Sequence, residues 1–317
     1  MLRQAVGSVL AQSYRPIEII IVDDGSTDAT GAEADQLAAK YPDEISVLHI
    51  DNGGAGLARE EGRITARGEF IQYLDSDDLL LPEKFSVQVA ALRAHPECGI
   101  AYGYTRLTDI DGNILKAPYK WTDRPFDRLF PALLVDRWWN THTPLFRRSV
   151  CDATGPWSDM RMSEDWEYEA RIAALGIKLV HCPEFLSDTR QHADERITSG
   201  SSTFAHCRDM ARLVASLYAA AIKAGVAIDS PEMKHFSRWA FLEARRASLA
   251  ELAAEAEACF DIAVQASGRP DKTLRLYGFM ARLLGWRMAG RITSLLERVL
   301  KRAPGEKTQS LSWGDKE

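Results

Sequence analysis

Residues 70–78, Phe-Ile-Gln-Tyr-Leu-Asp-Ser-Asp-Asp, set three carboxylates directly behind a short apolar run that reads as a buried β-strand ended by a turn. Sheets flanked by helices build their sites at such strand ends. A second acidic turn, Asp23-Asp24-Gly25-Ser26, ends another apolar run, Ile17 to Val22. A third acidic pair, Glu164-Asp165, stands at the predicted start of a helix behind Ser163. Hard oxygen donors clustered at strand ends are what a divalent cation and a phosphorylated ligand require, so the pattern points to metal-assisted group transfer.

The elements that must position these groups follow from periodicity. Leu2, Val6, Val9 and Leu10 form one helical stripe. Then come a strand over Ile17 to Val22, a helix after Ser26-Thr27-Asp28, and a strand over Ile45 to Ile50. Asn52-Gly53-Gly54 precedes a helix running through Arg59 and Ala66. The spacing further predicts a strand over Phe70 to Leu74, a helix over Pro82 to His95, a strand over Ile100 to Thr105 and a hairpin turn at Asp109–Asn113. Alternation of this kind means α/β class, with a mostly parallel, Rossmann-like sheet flanked by helices. The chain opens on a helix where a doubly wound unit usually opens on a strand, so the usual first strand is not evident: either the true start lies upstream, or a strand is absent or replaced.

Residues 116–160 are irregular and aromatic, with Trp121, Phe126, Phe130, Trp138, Trp139, Phe146 and Trp157 expected mostly in the core and otherwise along an acceptor groove. From about residue 200 the pattern is helical, with an Ala-rich stretch, Leu242 to Ala263, and a basic amphipathic one, Leu274 to Leu300.

Composition narrows the class. The chain has 317 residues, 46% hydrophobic and 26% charged, enough for a full core. A formal charge of -6 argues against a nucleic-acid binder. The charge is unevenly spread: Arg269 to Arg302 holds nine basic residues against Asp271 and Glu297, a local +7 that leaves -13 for the remainder. Five cysteines without paired spacing suggest neither disulfides nor a zinc site and suit a reducing cytoplasm. No apolar run reaches the roughly 18 residues of a membrane span, and no signal peptide is evident at the start.

The strings Ser8-Val9-Leu10-Ala11-Gln12-Ser13-Tyr14, Ile20-Ile21-Val22-Asp23-Asp24-Gly25-Ser26-Thr27-Asp28, Ala66-Arg67-Gly68-Glu69-Phe70-Ile71, Leu74-Asp75-Ser76-Asp77-Asp78 and Ser163-Glu164-Asp165-Trp166 occur in that order. Over about residues 1 to 195 this resembles the family 2 inverting glycosyltransferases of GT-A fold. The resemblance implies a nucleotide-sugar donor carrying UDP or dTDP, a Mg2+ or Mn2+ ion, and transfer of a hexosyl or N-acetylhexosaminyl unit with inversion. The acceptor would be a hydroxyl of a cell-surface glycan, polysaccharide or lipid-linked molecule. It also implies roles residue by residue. Asp77 would be the main metal ligand, with Asp75 on the ribose or the metal's water shell and His192 close to the metal and diphosphate. Asp24, beside Asp23, would receive the base. Arg59 would reach the nucleotide, with Arg190 a further diphosphate candidate. Asp165 would be the catalytic base and Glu164 would bind or orient the acceptor.

Four further expectations accompany these. Asp78 either joins the acidic site or caps the helix at Pro82. Ser163 is placed to cap its helix. Glu60 stands where the family's pattern favours asparagine, and His142 carries no assigned role. The expected division is a GT-A domain over 1–198, with a nucleotide-sugar half to about 105 and an acceptor half over 106–198, followed by a helical extension over 199–317. The basic segment Leu274 to Leu300 either packs on the catalytic domain or makes peripheral contact with an anionic membrane. Alternatives of other classes are a non-catalytic nucleotide-binding scaffold on the same fold, and a nucleotidyltransferase, disfavoured because no Gly-rich basic loop stands near the start.

Overall fold

The structure, a computed structural model, describes residues 1–191 and 204–300. Helix α1 (Leu2–Leu10) leads into strand β1 (Ile19–Asp24), α2 (Thr30–Lys40), β2 (Ile45–Ile50) and α3 (Ala55–Thr65). Next come β3 (Phe70–Ile71), β4 (Leu79–Leu80), α4 (Lys84–Ala94), β5 (Cys98–Asp109) and β6 (Ile114–Lys116). A 3-10 turn at Ala132–Leu134 precedes β7 (Leu145–Arg147), α5 (Arg148–Thr154), α6 (Glu164–Ala173) and β8 (Lys178–Gln191). The chain then runs through α7 (Phe204–Lys223), α8 (Pro231–Leu249), α9 (Ala253–Ala266), α10 (Lys272–Leu284) and α11 (Trp286–Leu300).

Two sheets result among the described residues. Strands β1 and β2 pair in parallel, Ile19 opposite Ile45 through Asp24 opposite Ile50. The second sheet runs β3-β7-β5-β8-β4, with β6 hairpinned onto β5. Its long central pairing, β5 with β8, is parallel, and the short strands β3, β4, β6 and β7 join antiparallel. Strand β5 is buried at six consecutive positions from Cys98, as expected of a strand covered on both faces. The α/β, GT-A class therefore stands, parallel in its long pairings and antiparallel in its short ones. Strand β1 has no second sheet neighbour among the described residues.

Several boundaries differ from the sequence expectation. The predicted strand Phe70 to Leu74 pairs only at Phe70 and Ile71, and beyond them the Gln72 side-chain amide donates to the carbonyls of Tyr73 and His142. Leu79 and Leu80 pair with Asp188 and Ser187, so a short strand precedes α4, which starts at Lys84. The Ala-rich stretch breaks at Glu251, whose φ is 64°, and the basic stretch breaks at Gly285, φ 82°. Gly285 is a conventional helix stop, since glycine tolerates the left-handed region at no steric cost.

The aromatic segment is core. Phe130, Trp138, Trp139, Phe146 and Trp157 are buried, while Trp121 and Phe126 pack against them half-buried. That core is continuous from the sheet through Met210, Leu213 and Leu217 of α7 to Phe236 of α8 and Phe260 of α9. No helix among the described residues is long and apolar enough to cross a membrane.

Candidate active site

Helix α3 carries the central group. Its start is fixed by Asp24, whose two carboxylate oxygens accept from the backbone N–H of Gly53 (2.6 Å) and Gly54 (2.8 Å). An aspartate there meets the positive end of the helix and satisfies amides that have no helical partner. Gly54 needs its φ of 95°, and at Gly56 a Cβ would stand 2.3 Å from the Ser158 carbonyl oxygen. This close approach of α3 to the loop before α6 brings Arg59 within reach of both acidic motifs.

Arg59 donates from Nη2 to Asp75 Oδ1 at 2.8 Å and from Nη1 to Glu164 Oε1 at 2.6 Å. Its guanidinium carbon lies 5.0 Å from the Trp157 ring centroid, and Trp157 in turn stacks on Tyr168. Burial works against ionisation here, but Asp75, Glu164 and Asp165 outweigh it and hold Arg59 protonated. Burial likewise opposes the charge on Asp75, whose carboxyl nevertheless lies below its usual range because Arg59 is paired with it, with His142 and Arg137 behind. For Glu164 burial wins: with Asp165 adjacent, its pKa rises despite Arg59.

Asp165 sits in the first turn of α6, held from the other side. Arg137 Nη1 stands 2.7 Å from its Oδ2, and the Thr141 hydroxyl donates to the same oxygen at 3.4 Å. Arg137 also forks onto buried Glu169, Nη2 to Oε1 at 2.7 Å and Nε to Oε1 at 3.0 Å. Burial raises the Glu169 pKa in spite of that fork. Lys120 donates to the carbonyls of Arg137 and Trp139, and burial beside Arg137 pushes its pKa down to about 8. Two chains of alternating charge thus lie side by side, Asp75–Arg59–Glu164 and Asp165–Arg137–Glu169.

The loop before α6 is pinned by the helical region, since Asp209 of α7 accepts from the backbone N–H of Arg161 (2.9 Å) and Met162 (3.2 Å). Ser163 makes no side-chain cap, contrary to the expectation for it: its φ is 58°, a left-handed conformation that turns the chain into α6. For a serine that conformation is uncommon and held only by its surroundings.

The remaining expected residues fall in three places. Asp77 is half-buried on the same turn as Asp75, and the Arg190 side chain donates to its carbonyl. Arg190 itself is buried, with its Nη1 on Gln4 Oε1 and its backbone N–H on Asp78 Oδ1. Arg190 thus lies beneath the acidic turn, with its Nε and Nη1 bonded and its Nη2 without a hydrogen-bond partner among the described residues. Alternation along β1 turns Asp23 away from Asp24, toward Ser26 and His49 Nδ1 at 2.9 Å. Those hydrogen bonds, Ser26 first, depress its pKa, while Asp35 and then Asp23 raise that of His49. Asp78 does not cap α4, lying 2.7 Å from Nδ1 of buried His142 and receiving the Arg190 amide. Glu60 forks onto Arg63 and accepts from Trp157 N, so it supports the platform under Arg59. His192 lies outside the described residues.

Sequence reasoning missed Arg137, Thr141, Trp157 as a platform, and Lys120. All four lie between elements, in a segment without periodicity, and no motif marks any of them.

Comparison with known proteins gives this geometry its relatives. The family model described as Glycosyl transferase family 2 matches residues 1–151. An uncharacterized glycosyltransferase of Rickettsia bellii is 38% identical over 115 residues, which is 36% of this chain and 16% of that protein's length. Among solved structures, S. aureus TarS in complex with UDP-GlcNAc superposes with a TM-score of 0.66 at 15% identity, covering 94% of this chain and 88% of that one. A mannosyltransferase from Pyrobaculum calidifontis in complex with GDP-Man and Mn2+ gives 0.50 at 17% identity, covering 94% and 84%. At such identities the two structures speak for the fold alone.

Proposed function

We propose that the chain, whose residues 1–151 match the Glycosyl transferase family 2 model, is a metal-dependent inverting glycosyltransferase. The donor is a UDP- or dTDP-linked hexose or N-acetylhexosamine, and the acceptor a hydroxyl of a cell-surface glycan, polysaccharide or lipid-linked molecule. The observation that carries this reading is the Arg59 bridge, which joins the turn of Asp75 to Glu164 across 89 residues of sequence and sets Asp165 beside both. A transferase needs its leaving-group site and its base on opposite sides of one reacting carbon, and this bridge supplies that adjacency.

Asp165 is the base. As the acceptor oxygen bonds to the anomeric carbon, its proton passes to Asp165, while the electron pair of the breaking C–O bond leaves with the diphosphate. Attack opposite the leaving group inverts the centre. Arg137 fixes the Asp165 carboxylate in orientation, and Glu164, turned by Arg59, orients the acceptor. Asp24 remains the group for the base: each of its oxygens keeps a lone pair beyond the Gly53 or Gly54 amide it accepts.

The donor set suits a hard cation. Asp75 and Asp77 offer two carboxylates from one turn, and the described residues bring together no group of three His, Cys, Asp or Glu, so other positions fall to phosphate oxygens and water. His192 is proposed as a further ligand. Mg2+ or Mn2+ held there would neutralise charge on the departing diphosphate.

We assign the donor half to about residues 1–105, the acceptor half to 106–198 and a supporting role to 199–317, the last on the strength of Asp209 holding the loop before α6. Five buried, unpaired cysteines support a reducing cytoplasm. Calorimetric titration of UDP into the chain with Mn2+ and then with chelator tests the core of the reading. Binding that appears with the metal and vanishes with chelator is expected; a folded chain that binds no uridine or thymidine nucleotide in either condition would refute it.

A further inference from the structure

We propose that the exposed face of α10 and α11 is a docking surface for an anionic phospholipid bilayer, a property separate from the transferase reading. Both helices are anchored on one side only. Leu274, Tyr277 and Ala281 of α10 and Ala289 of α11 are buried, and Trp286 packs on Phe260 and Tyr277. The opposite side carries large apolar groups in the open: Leu276, Phe279, Leu283 and Leu284, then Met288, Leu295 and Leu296. Phe279 and Leu283 are 64% and 68% exposed. Single exposed apolar side chains need no explanation, but seven within 21 residues form a patch that does.

The charges on the same side select the occupant. Lys272, Arg275, Arg282, Arg287 and Arg291 are all exposed, and residues 272–296 contain no acidic group. On α10 the 3.6-residue period puts Lys272, Leu276, Phe279 and Leu283 on one stripe, flanked by Arg275 and Arg282. Arginines beside leucines and a phenylalanine are what lies flat at a headgroup boundary, apolar side in the acyl region and guanidinium groups among phosphates. Of these cations, Arg287 pairs with Glu251 at 2.7 Å and Arg291 reaches the same carboxylate at 4.0 Å. Lys272 and Arg282 have no such partner among the described residues.

A second copy of the chain fits less well. A two-fold contact would set this face against itself, bringing Lys272, Arg275 and Arg282 of one copy onto the same cations of the other, while Glu251 is already taken up by Arg287 and Arg291. A nucleic acid would leave the apolar stripe in water. A bilayer with acidic headgroups satisfies both halves of the surface, and it would hold the chain where a lipid-linked acceptor is presented.

The test is co-sedimentation of the full chain with vesicles of phosphatidylcholine alone and of equimolar phosphatidylcholine and phosphatidylglycerol. Binding to the acidic vesicles only is expected, weakening at roughly 0.5 M salt, where the Debye length is a few Å. Neutralising two cations, Arg275→Gln with Arg282→Gln, should lower partitioning about 25-fold, about fivefold for each. Phe279→Ser with Leu283→Ser should lower it by about tenfold or more while leaving the thermal transition unchanged, because both side chains are exposed. No binding by the folded chain, or binding by both double variants undiminished from the parent's, would overturn the proposal. So would a concentration-dependent dimer abolished by the serine variant without lipid binding, which would give the face to a second copy.

Discussion

Replacing Arg59 by methionine removes the guanidinium while keeping an apolar stem over Trp157, and the cost can be worked from its surroundings. Asp75 keeps 41% of its side-chain surface, so solvent screens that half of the bridge and its loss costs less than about 1 kcal/mol. The other half differs: Arg59 and Glu164 are 12% and 10% exposed, and removing one partner of a buried pair costs about 3–5 kcal/mol when the remaining charge cannot escape. Glu164 can escape by taking a proton, since burial and Asp165 already raise its pKa. The raised carboxyl fixes the sign. Between the unfolded value near 4.3 and the folded one, the folded state holds the extra proton, so stability falls as pH rises through that window. Losing Arg59 widens the window. The variant should therefore be about 2–4 kcal/mol less stable than the parent at about pH 8, and the deficit should shrink to about 1 kcal/mol near pH 4.5. Urea unfolding of both proteins across this range measures it, with unchanged slopes confirming that the same transition is compared. A deficit that is equal at both ends, or below about 1 kcal/mol at the alkaline end, would show that Arg59 and Glu164 are not a buried pair in solution.

Asp165→Asn should bind UDP and metal as the parent does and lose about 10²–10⁴-fold in turnover, read by separate calorimetric and product assays; full activity would remove Asp165 as the base. Asp77→Ala should abolish the Mn2+-dependent part of UDP binding and turnover together, and loss of turnover with metal-dependent binding intact would assign the metal elsewhere. Lys84 is fully buried, donating to Gln88 Oε1 (2.6 Å) and the Thr143 carbonyl (2.8 Å), and burial depresses its pKa to about 7. The folded state therefore binds fewer protons than the unfolded one from about pH 7 up to the free lysine value near 10.4, and stability rises across that window. Lys84→Met should flatten the rise in urea melts, and an unchanged slope would show the amine to be hydrated.

The fold was legible where one period dominates. Strand β2 occupies the expected residues and α3 begins one residue after Gly54, because glycine before a helical stripe leaves little choice. It was less legible where pairing rather than pattern decides. Leu79 and Leu80 read as the approach to a helix and instead complete an edge against Asp188 and Ser187, some 107 residues away. The two breaks in the C-terminal helices show the same contrast. Gly285 is a stop that composition signals. Glu251 is not: nothing about glutamate prepares a left-handed turn, which follows from packing α9 back on α8.

The acidic motifs were legible because each ends an apolar run or opens a helix, whereas Arg137 lies in an irregular stretch and declares itself only through Asp165 and Glu169. That omission changes the electrostatics. Without it the site reads as a bare acidic cluster suited to a metal alone. With it, Asp75, Glu164, Asp165 and Glu169 face Arg59, Arg137 and Lys120, and with Asp77 on the same turn as Asp75 the excess is two negative charges when all are ionised. A nucleoside diphosphate brings further negative charge into this partly buried space, where like charges repel several-fold more strongly than in water. One dication cancels the resident excess, so nucleotide affinity should depend steeply on it. Equal UDP affinity with and without divalent cation would mean that these carboxylates and arginines are paired only to hold α3 against α6.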